Sequence, residues 1–323
     1  MRADDRTPEE ASRPFRFGFQ SNSSDMAEVR RSARAAEEVG FDVFQVGDHV
    51  GSQLTPFVAL AGAAAATSTI RVGTLVLNND LRHPVVVAQE AATLDQMSGG
   101  RVELGLGAGH SFTEYPAIGL TFDPPAVRKA RLAEAVEVLR GLLGGGELSY
   151  EGAHYRIAGA RSLRPVQERL PLLVGVNGRA ALEHAARHAD VVALTMLGRT
   201  LEDGQHHEMH WEADRLDATM DVVRSAAGER WPRLELHALV QAVVVTDDRP
   251  ATAQSLGADL ATHPDDVLST PFLCIGTHEE MARHLLDCRA RWGINYFTVR
   301  DIDGFAPVME LIRRLEGGAR RGS

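Results

Sequence analysis

Asp48 and His49 stand side by side in GDHV (47–50), directly after the apolar stretch DVFQV. An imidazole titrates near neutral pH, so His49 can give or take a proton, with Asp48 a carboxylate that orients it or meets a ligand. The alternative is a structural histidine held by Asp48. A second histidine, His110, closes RVELGLGAGH (101–110), where an alternating strand runs into glycines at 105, 107 and 109. A dinucleotide fingerprint needs G-x-G-x-x-G, and counting from Gly105 the third glycine falls on His110, so that motif is absent. Gly107, Ala108 and Gly109 instead form a strand end at which a flat ring or a phosphate can approach the backbone; the plainer reading is a glycine-lined turn. A third stretch, GVNGRAALEHAA (175–186), leaves a strand at Val176 and passes through Asn177, Gly178 and Arg179 into a helix. Free N–H groups and the positive helix end converge there on an anion site, unless the stretch is an ordinary capped helix.

QHHEMHWE (205–212) offers three histidines, but it reads HExH rather than HExxH and no further Cys/His cluster accompanies it. No metal is expected, and the stretch reads as a solvated helix start. Nothing resembles a Walker loop, a serine nucleophile elbow or a heptad seam.

The elements that must position these residues alternate regularly. Short β-rich runs occur at 15–20, 42–47, 70–76, 101–107, 170–176, 190–195, 234–245 and 294–299, separated by helical stretches. The first of those, DMAEVRRSARAAEEVG, has a cap candidate in Asp25 and a stop in Gly40. Eight such units predict an α/β fold, a (β/α)8 TIM barrel, rather than an open sheet. Each candidate then falls at the C-terminal end of a strand, the face on which such barrels build active sites. Residues 146–164 break the alternation as a hairpin insertion expected to shape a substrate mouth, and residues 15–316 read as a single domain between frayed tails at 1–14 and 317–323.

Composition narrows the function classes. A chain with 44% hydrophobic and 24% charged residues can bury a sizeable core. Its net charge of −10, with basic residues dispersed, argues against a nucleic-acid partner. Lys129 is the only lysine, which speaks of coding composition rather than of function. No apolar run approaches the roughly 20 residues of a membrane span, and the N-terminus lacks the apolar core of a signal peptide. Two cysteines without a CxxC spacing suit free thiols in a cytoplasmic protein.

LRHPVVVAQEAATLDQMSGGRVELGLGAG (81–109) closely resembles the luciferase-like monooxygenase superfamily where its third and fourth strands join, and segments around the second, fifth and sixth strands agree with it. PFLCIGTHEEMARHLLDCRARWGINYFTV (271–299) resembles the branch assigned to the deazaflavin coenzyme F-420. The resemblance implies an F-420-dependent oxidoreductase moving a hydride between the deazaflavin C5 and a small organic substrate, as a homodimer. Alternatives are an FMN-dependent monooxygenase on the same fold and a non-catalytic flavin-binding barrel. It further implies that Asp48 and His49 flank the ring and that His110 stands where some relatives carry a glutamate acid, a role it shares with that of a substrate hydrogen-bond donor. By the same resemblance a cis peptide joins Leu75 to Val76 and backs the ring, and Gly107, Ala108 and Gly109 line the cofactor. The Val176–Gly178 loop holds the cofactor phosphate with Arg179 as charge partner, and Thr195 reaches the phosphate tail or the substrate. The chain departs from the family's usual wording at Asn78, Asn79 and Asp80, where apolar residues and a proline often stand.

Overall fold

The computed structural model describes residues 13–200 and 207–319. In chain order its strands are β1 (Arg16–Ser21), β2 (Val43–Val46), β3 (Arg71–Thr74), β4 (Leu77–Asn78), β5 (Val102–Gly107), β6 (Glu147–Glu151), β7 (Arg156–Arg161), β8 (Leu172–Val176), β9 (Val191–Leu194), β10 (Leu197–Thr200), β11 (His207–Met209), β12 (Glu235–Leu239), β13 (Ala242–Val245), β14 (Leu273–Gly276) and β15 (Tyr296–Val299). The helices are α1 (Met26–Val39), α2 (Pro56–Ala66), α3 (Pro84–Ser98), α4 (Glu114–Ala117), α5 (Pro125–Leu143), α6 (Arg179–His188), α7 (Ala213–Ala227), α8 (Arg249–Asp259), α9 (Pro264–Ser269), α10 (His278–Trp292) and α11 (Ile302–Ala319).

Strands β1, β2, β3, β5, β8, β9, β12 and β15 pair in parallel, and the β3–β5 pairing, Val72 opposite Val102, closes them into the expected barrel. Alternation divides the side chains: Phe17, Phe19, Phe44 and Val46 face the helices in the main core, while Val43, Leu173, Val191 and Tyr296 cluster separately. Helix α1 starts on Asp25, whose side chain accepts from the Ala27 N–H, and stops at Gly40 in the left-handed region.

Three segments bear comparison with the sequence reading. The run 234–245 is two strands: the Val240 N–H still bonds Thr298 of the barrel, and the Gln241 N–H bonds Phe272, so β13 leaves to pair with β14. Of the segments read as tails, residues 13–14 and 317–319 are described. Arg13 lies against the Trp231 ring, Asn295 donates to the Pro14 carbonyl, and α11 continues to Ala319. The 146–164 hairpin forms as predicted, but β6 and β7 pack outside α5 and line no part of the cavity described below.

A polar plug closes the barrel interior. Glu103, almost wholly buried, accepts from Arg16 at 2.8 Å and from the Tyr296 hydroxyl at 2.9 Å, and the Arg16 guanidinium lies over the Tyr296 ring. Next to it His237 Nε2 lies 2.9 Å from Thr298 Oγ1, whose own proton goes to Gln45 Oε1 at 2.7 Å; His237 Nε2 therefore carries the hydrogen. Burial, and next the Arg16 charge, push the His237 pKa down to about 3. The unfolded chain takes up this proton near pH 6.5 and the folded chain only near 3. Stability is thus intact above pH 6.5 and falls as pH drops through that window, by about 2 kcal/mol from this residue at pH 5. Urea unfolding at pH 7.5 and at pH 5 should show the pH dependence shallower by that amount in His237→Gln; parallel profiles would refute the assignment.

Candidate active site

The C-terminal ends of the barrel strands open into a cavity of about 910 Å³. His49, just past β2, stands in its wall with Nδ1 2.7 Å from Oε1 of Glu114, the first residue of α4. The other Glu114 oxygen accepts the Val50 N–H at 3.3 Å, so the carboxylate is held from two sides. With Nδ1 donating to this carboxylate, Nε2 is the basic nitrogen of the neutral ring. The His110 ring stands edge-on to His49 with centroids 5.3 Å apart and also lines the cavity.

Asp48 does not orient His49. Its carboxylate accepts both Arg82 Nη1, at 2.6 Å, and Arg82 Nη2, at 3.2 Å, and also the Asn78 N–H. The chain after β2 sends successive side chains in different directions, so Asp48 ties the floor to the loop after β4 while still lining the cavity. Glu114 is the orienting group. Nothing in the sequence motif marked it, although it follows His110 by four residues in the same loop.

The Leu75–Val76 peptide is cis, and both residues line the cavity. Gln20 Nε2 donates to the Leu75 carbonyl at 2.6 Å. The Val76 side chain occupies the space a Cβ on Gly107 would need, coming within 2.6 Å of it, which is why that position takes no side chain. With Val176, Ala193 and Leu194 these residues make an apolar wall. The polar trio after β4 has partners of its own. The Tyr115 hydroxyl lies within hydrogen-bond distance of Asn78 Oδ1 and Asp80 Oδ2, Arg131 pairs with Asp80 at 2.7 Å, and Asn79 donates to Tyr155. The Ala108 and Gly109 carbonyls are both gripped by Arg128.

Gly178 precedes α6 with a φ of +79°, and no side chain caps the helix. Lys129 reaches this spot from α5: its Nζ bonds Asn177 Oδ1 at 2.6 Å and lies 3.3 Å from where a Cβ on Gly178 would stand. Among the described residues no carboxylate pairs with Lys129, and burial followed by the neighbouring Arg128 charge lowers its pKa. An ammonium beside open helix N–H groups is an arrangement that can cradle an anion. Thr195 closes it from the side, its hydroxyl near the Val176 carbonyl.

Arg179 is not part of the cradle. Its side chain is 78% exposed and pairs with Glu183 one turn along α6, because the first-turn direction that puts Gly178 at the cavity turns Arg179 to solvent. The lone lysine, read from sequence as a matter of composition, is the cation that stands beside Asn177 and Gly178. A charge this exposed and already paired is screened by solvent, so Arg179→Ala should change affinity for a phosphate-bearing cofactor by no more than about twofold in a fluorescence titration; a large loss would make Arg179 the charge partner of the phosphate.

The stretch 205–212 is not a helix start. Residues 205 and 206 lie outside the described residues, 207–209 form β11 against β10, and α7 begins at Ala213. His210 and Arg215 line the upper cavity, so this region, rather than the 146–164 hairpin, shapes the mouth. Arg300 sits on the rim, donating to the amide oxygens of Gln20 and Gln241 and pairing with no carboxylate among the described residues. No helix among the described residues is long and apolar enough to cross a membrane.

The fold is that of solved structures such as the coenzyme F-420-dependent tetrahydromethanopterin reductase from Methanopyrus kandleri (TM-score 0.72, 19% identity, 92% of this chain and 97% of that one). A long-chain alkane monooxygenase is as similar in shape (TM-score 0.71, 15% identity, 96% and 92%). In sequence the chain is 35% identical over 187 residues to an F-420-dependent glucose-6-phosphate dehydrogenase of Nakamurella multipartita, covering 55% of each protein. It is 33% identical over 225 residues to that of Microbacterium testaceum, covering 67% of this chain and 64% of that protein. The chain thus spans about half to two thirds of the length of these curated relatives. The family profile described as luciferase-like monooxygenase matches residues 12–296, and with the barrel, the cis peptide and the glycine-ended strand in the places that resemblance implied, the chain belongs to that family.

Proposed function

We propose that the protein is a coenzyme F-420-dependent oxidoreductase that moves a hydride between the deazaflavin and a small organic substrate. The observation that carries this reading is that the His49–Glu114 pair opens onto the same cavity as an anion cradle without a carboxylate. Moving a hydride to or from a carbon that bears oxygen requires a proton moved at that oxygen, and His49 can hold or release it. The residues fit the cofactor: the apolar wall around the cis peptide suits a flat ring, and Lys129 with the open α6 N-terminus suits a phosphate.

When bound, the deazaflavin supplies a hydride donor or acceptor at C5. The chain's own part is to hold the phosphate end at Lys129, Asn177 and Gly178 and to fix the ring against Leu75 and Val76. His49 Nε2 then gives or takes the proton while Glu114 holds the ring in one tautomer and steadies its charged form. Asp48, Gly107, Ala108, Gly109, Val176 and Thr195 belong to the cofactor's surroundings in this reading, and His110 to the substrate side. The Arg300 guanidinium on the rim suits a substrate with an anionic or strongly polar group. The preference for F-420 over FMN is supported by the names of the curated relatives. The same reading makes the protein a cytoplasmic homodimer; both its cysteines are free and buried, as a reducing compartment allows.

Titration of the purified protein with F-420 and with FMN, followed by fluorescence and by oxygen uptake, tests it. Tighter binding of F-420, no direct binding of NAD(P) and no oxygen uptake are expected. Tighter FMN binding with oxygen uptake would make the protein a monooxygenase.

A further inference from the structure

On the outer face of the barrel α5 and α6 pack side by side. His184 and His188 lie one turn apart on α6, their rings stacked with centroids 4.4 Å apart. Glu137 of α5 faces them, with Oε1 3.2 Å from His184 Nε2 and Oε2 accepting the Tyr150 hydroxyl of β6 at 2.9 Å. One ligand-type atom from each of Glu137, His184 and His188 lies within 4.8 Å of the other two. None of the three lines the cavity of the candidate active site. We propose that Glu137, His184 and His188 form a binding site for a first-row divalent cation of the zinc type, which clamps α5 to α6.

The donor set points to that class of ion. Histidines four apart on a helix present both imidazoles on one face, and two nitrogens with one carboxylate oxygen suit zinc and its neighbours, whereas magnesium and calcium take oxygen donors. Bonds of about 2.0–2.2 Å in a tetrahedron set the ligand atoms about 3.3 Å apart. The three ligand atoms already lie within 4.8 Å of one another with no ion drawing them together. Tyr150 fixes the carboxylate as an outer partner of a metal ligand does. The side chains of His184 and Glu137 are 21% and 41% exposed, which leaves a path for the ion and a fourth position for water. The sequence alone pointed to no metal. HAARH (184–188) is a bare pair, and its third member comes from a different helix 47 residues earlier.

Tag-free protein stripped with a chelator is titrated with Zn2+ against a chromophoric chelator and with Co2+ for its visible absorption, and its Tm is followed by circular dichroism. Saturable uptake of one equivalent, a four-coordinate Co2+ spectrum and a rise in Tm are expected in the parent. All three should be lost in His184→Ala and in His188→Ala, and Tyr150→Phe should weaken binding by about tenfold. Should either alanine variant fail to fold, Glu137→Gln, which keeps the size of an accessible side chain, must still bind more weakly. The proposal is overturned by no saturable uptake in the folded parent, by parent-like affinity in Glu137→Gln, or by binding that survives in the double histidine variant, which would place the ion elsewhere.

Discussion

His49→Ala is expected to bind F-420 as the parent does and to turn over about 10²- to 10⁴-fold more slowly, the range that general acid-base catalysis supplies. The affinity should hold because the phosphate cradle and the cis-peptide wall are built from other strands. Glu114→Gln should reproduce part of the loss: an amide can still meet Nδ1, but it no longer fixes the donating tautomer or offsets the charge of an imidazolium. Single-turnover rates, measured beside a fluorescence titration, separate the two quantities. A parent-like rate for His49→Ala with a good substrate would remove His49 from the mechanism and leave His110, 5.3 Å away across the edge-on contact, as the proton donor.

Lys129→Met should do the reverse, weakening F-420 binding while leaving the chemical step of the bound complex nearly unchanged. The substitution keeps the length of the side chain and removes its charge. Losing one partner of a buried charge pair costs 2–5 kcal/mol, and for this half-buried ammonium the lower end applies, about 2 kcal/mol or some thirtyfold in dissociation constant. Lys129→Arg should recover part of it, since the charge returns with a different shape. Affinity unchanged in Lys129→Met would move the phosphate away from Asn177 and Gly178.

Much of the architecture was legible because it is written in local patterns. Alternating apolar runs mark all eight barrel strands, and Asp25 and Gly40 bracket α1 by side-chain and backbone chemistry that needs no tertiary context. What escaped the sequence depends on direction or on distant partners. The break at Val240 leaves no mark because both sides stay extended and apolar; only the partner strand changes. Arg179 follows the right glycine but projects to the other side of the helix, whereas Lys129 sits 48 residues before Asn177 with no motif around it and faces the cavity. Asp48 adjoins His49 in sequence, yet the carboxylate that meets the imidazole is 65 residues away.

The plug of Arg16, Glu103 and Tyr296 has a consequence for the order of events. A barrel sealed at one end has a single door, and two ligands that meet inside must use it in turn. The one seated deeper enters first and leaves last. In the reading above that ligand is the deazaflavin, its ring lying against Leu75 and Val76, while the substrate meets His110 and Arg300 nearer the rim. Each hydride moved changes the carrier's redox state, so once the product has gone the deazaflavin must itself leave, or meet a second hydride donor or acceptor through the same door, before the next substrate can react.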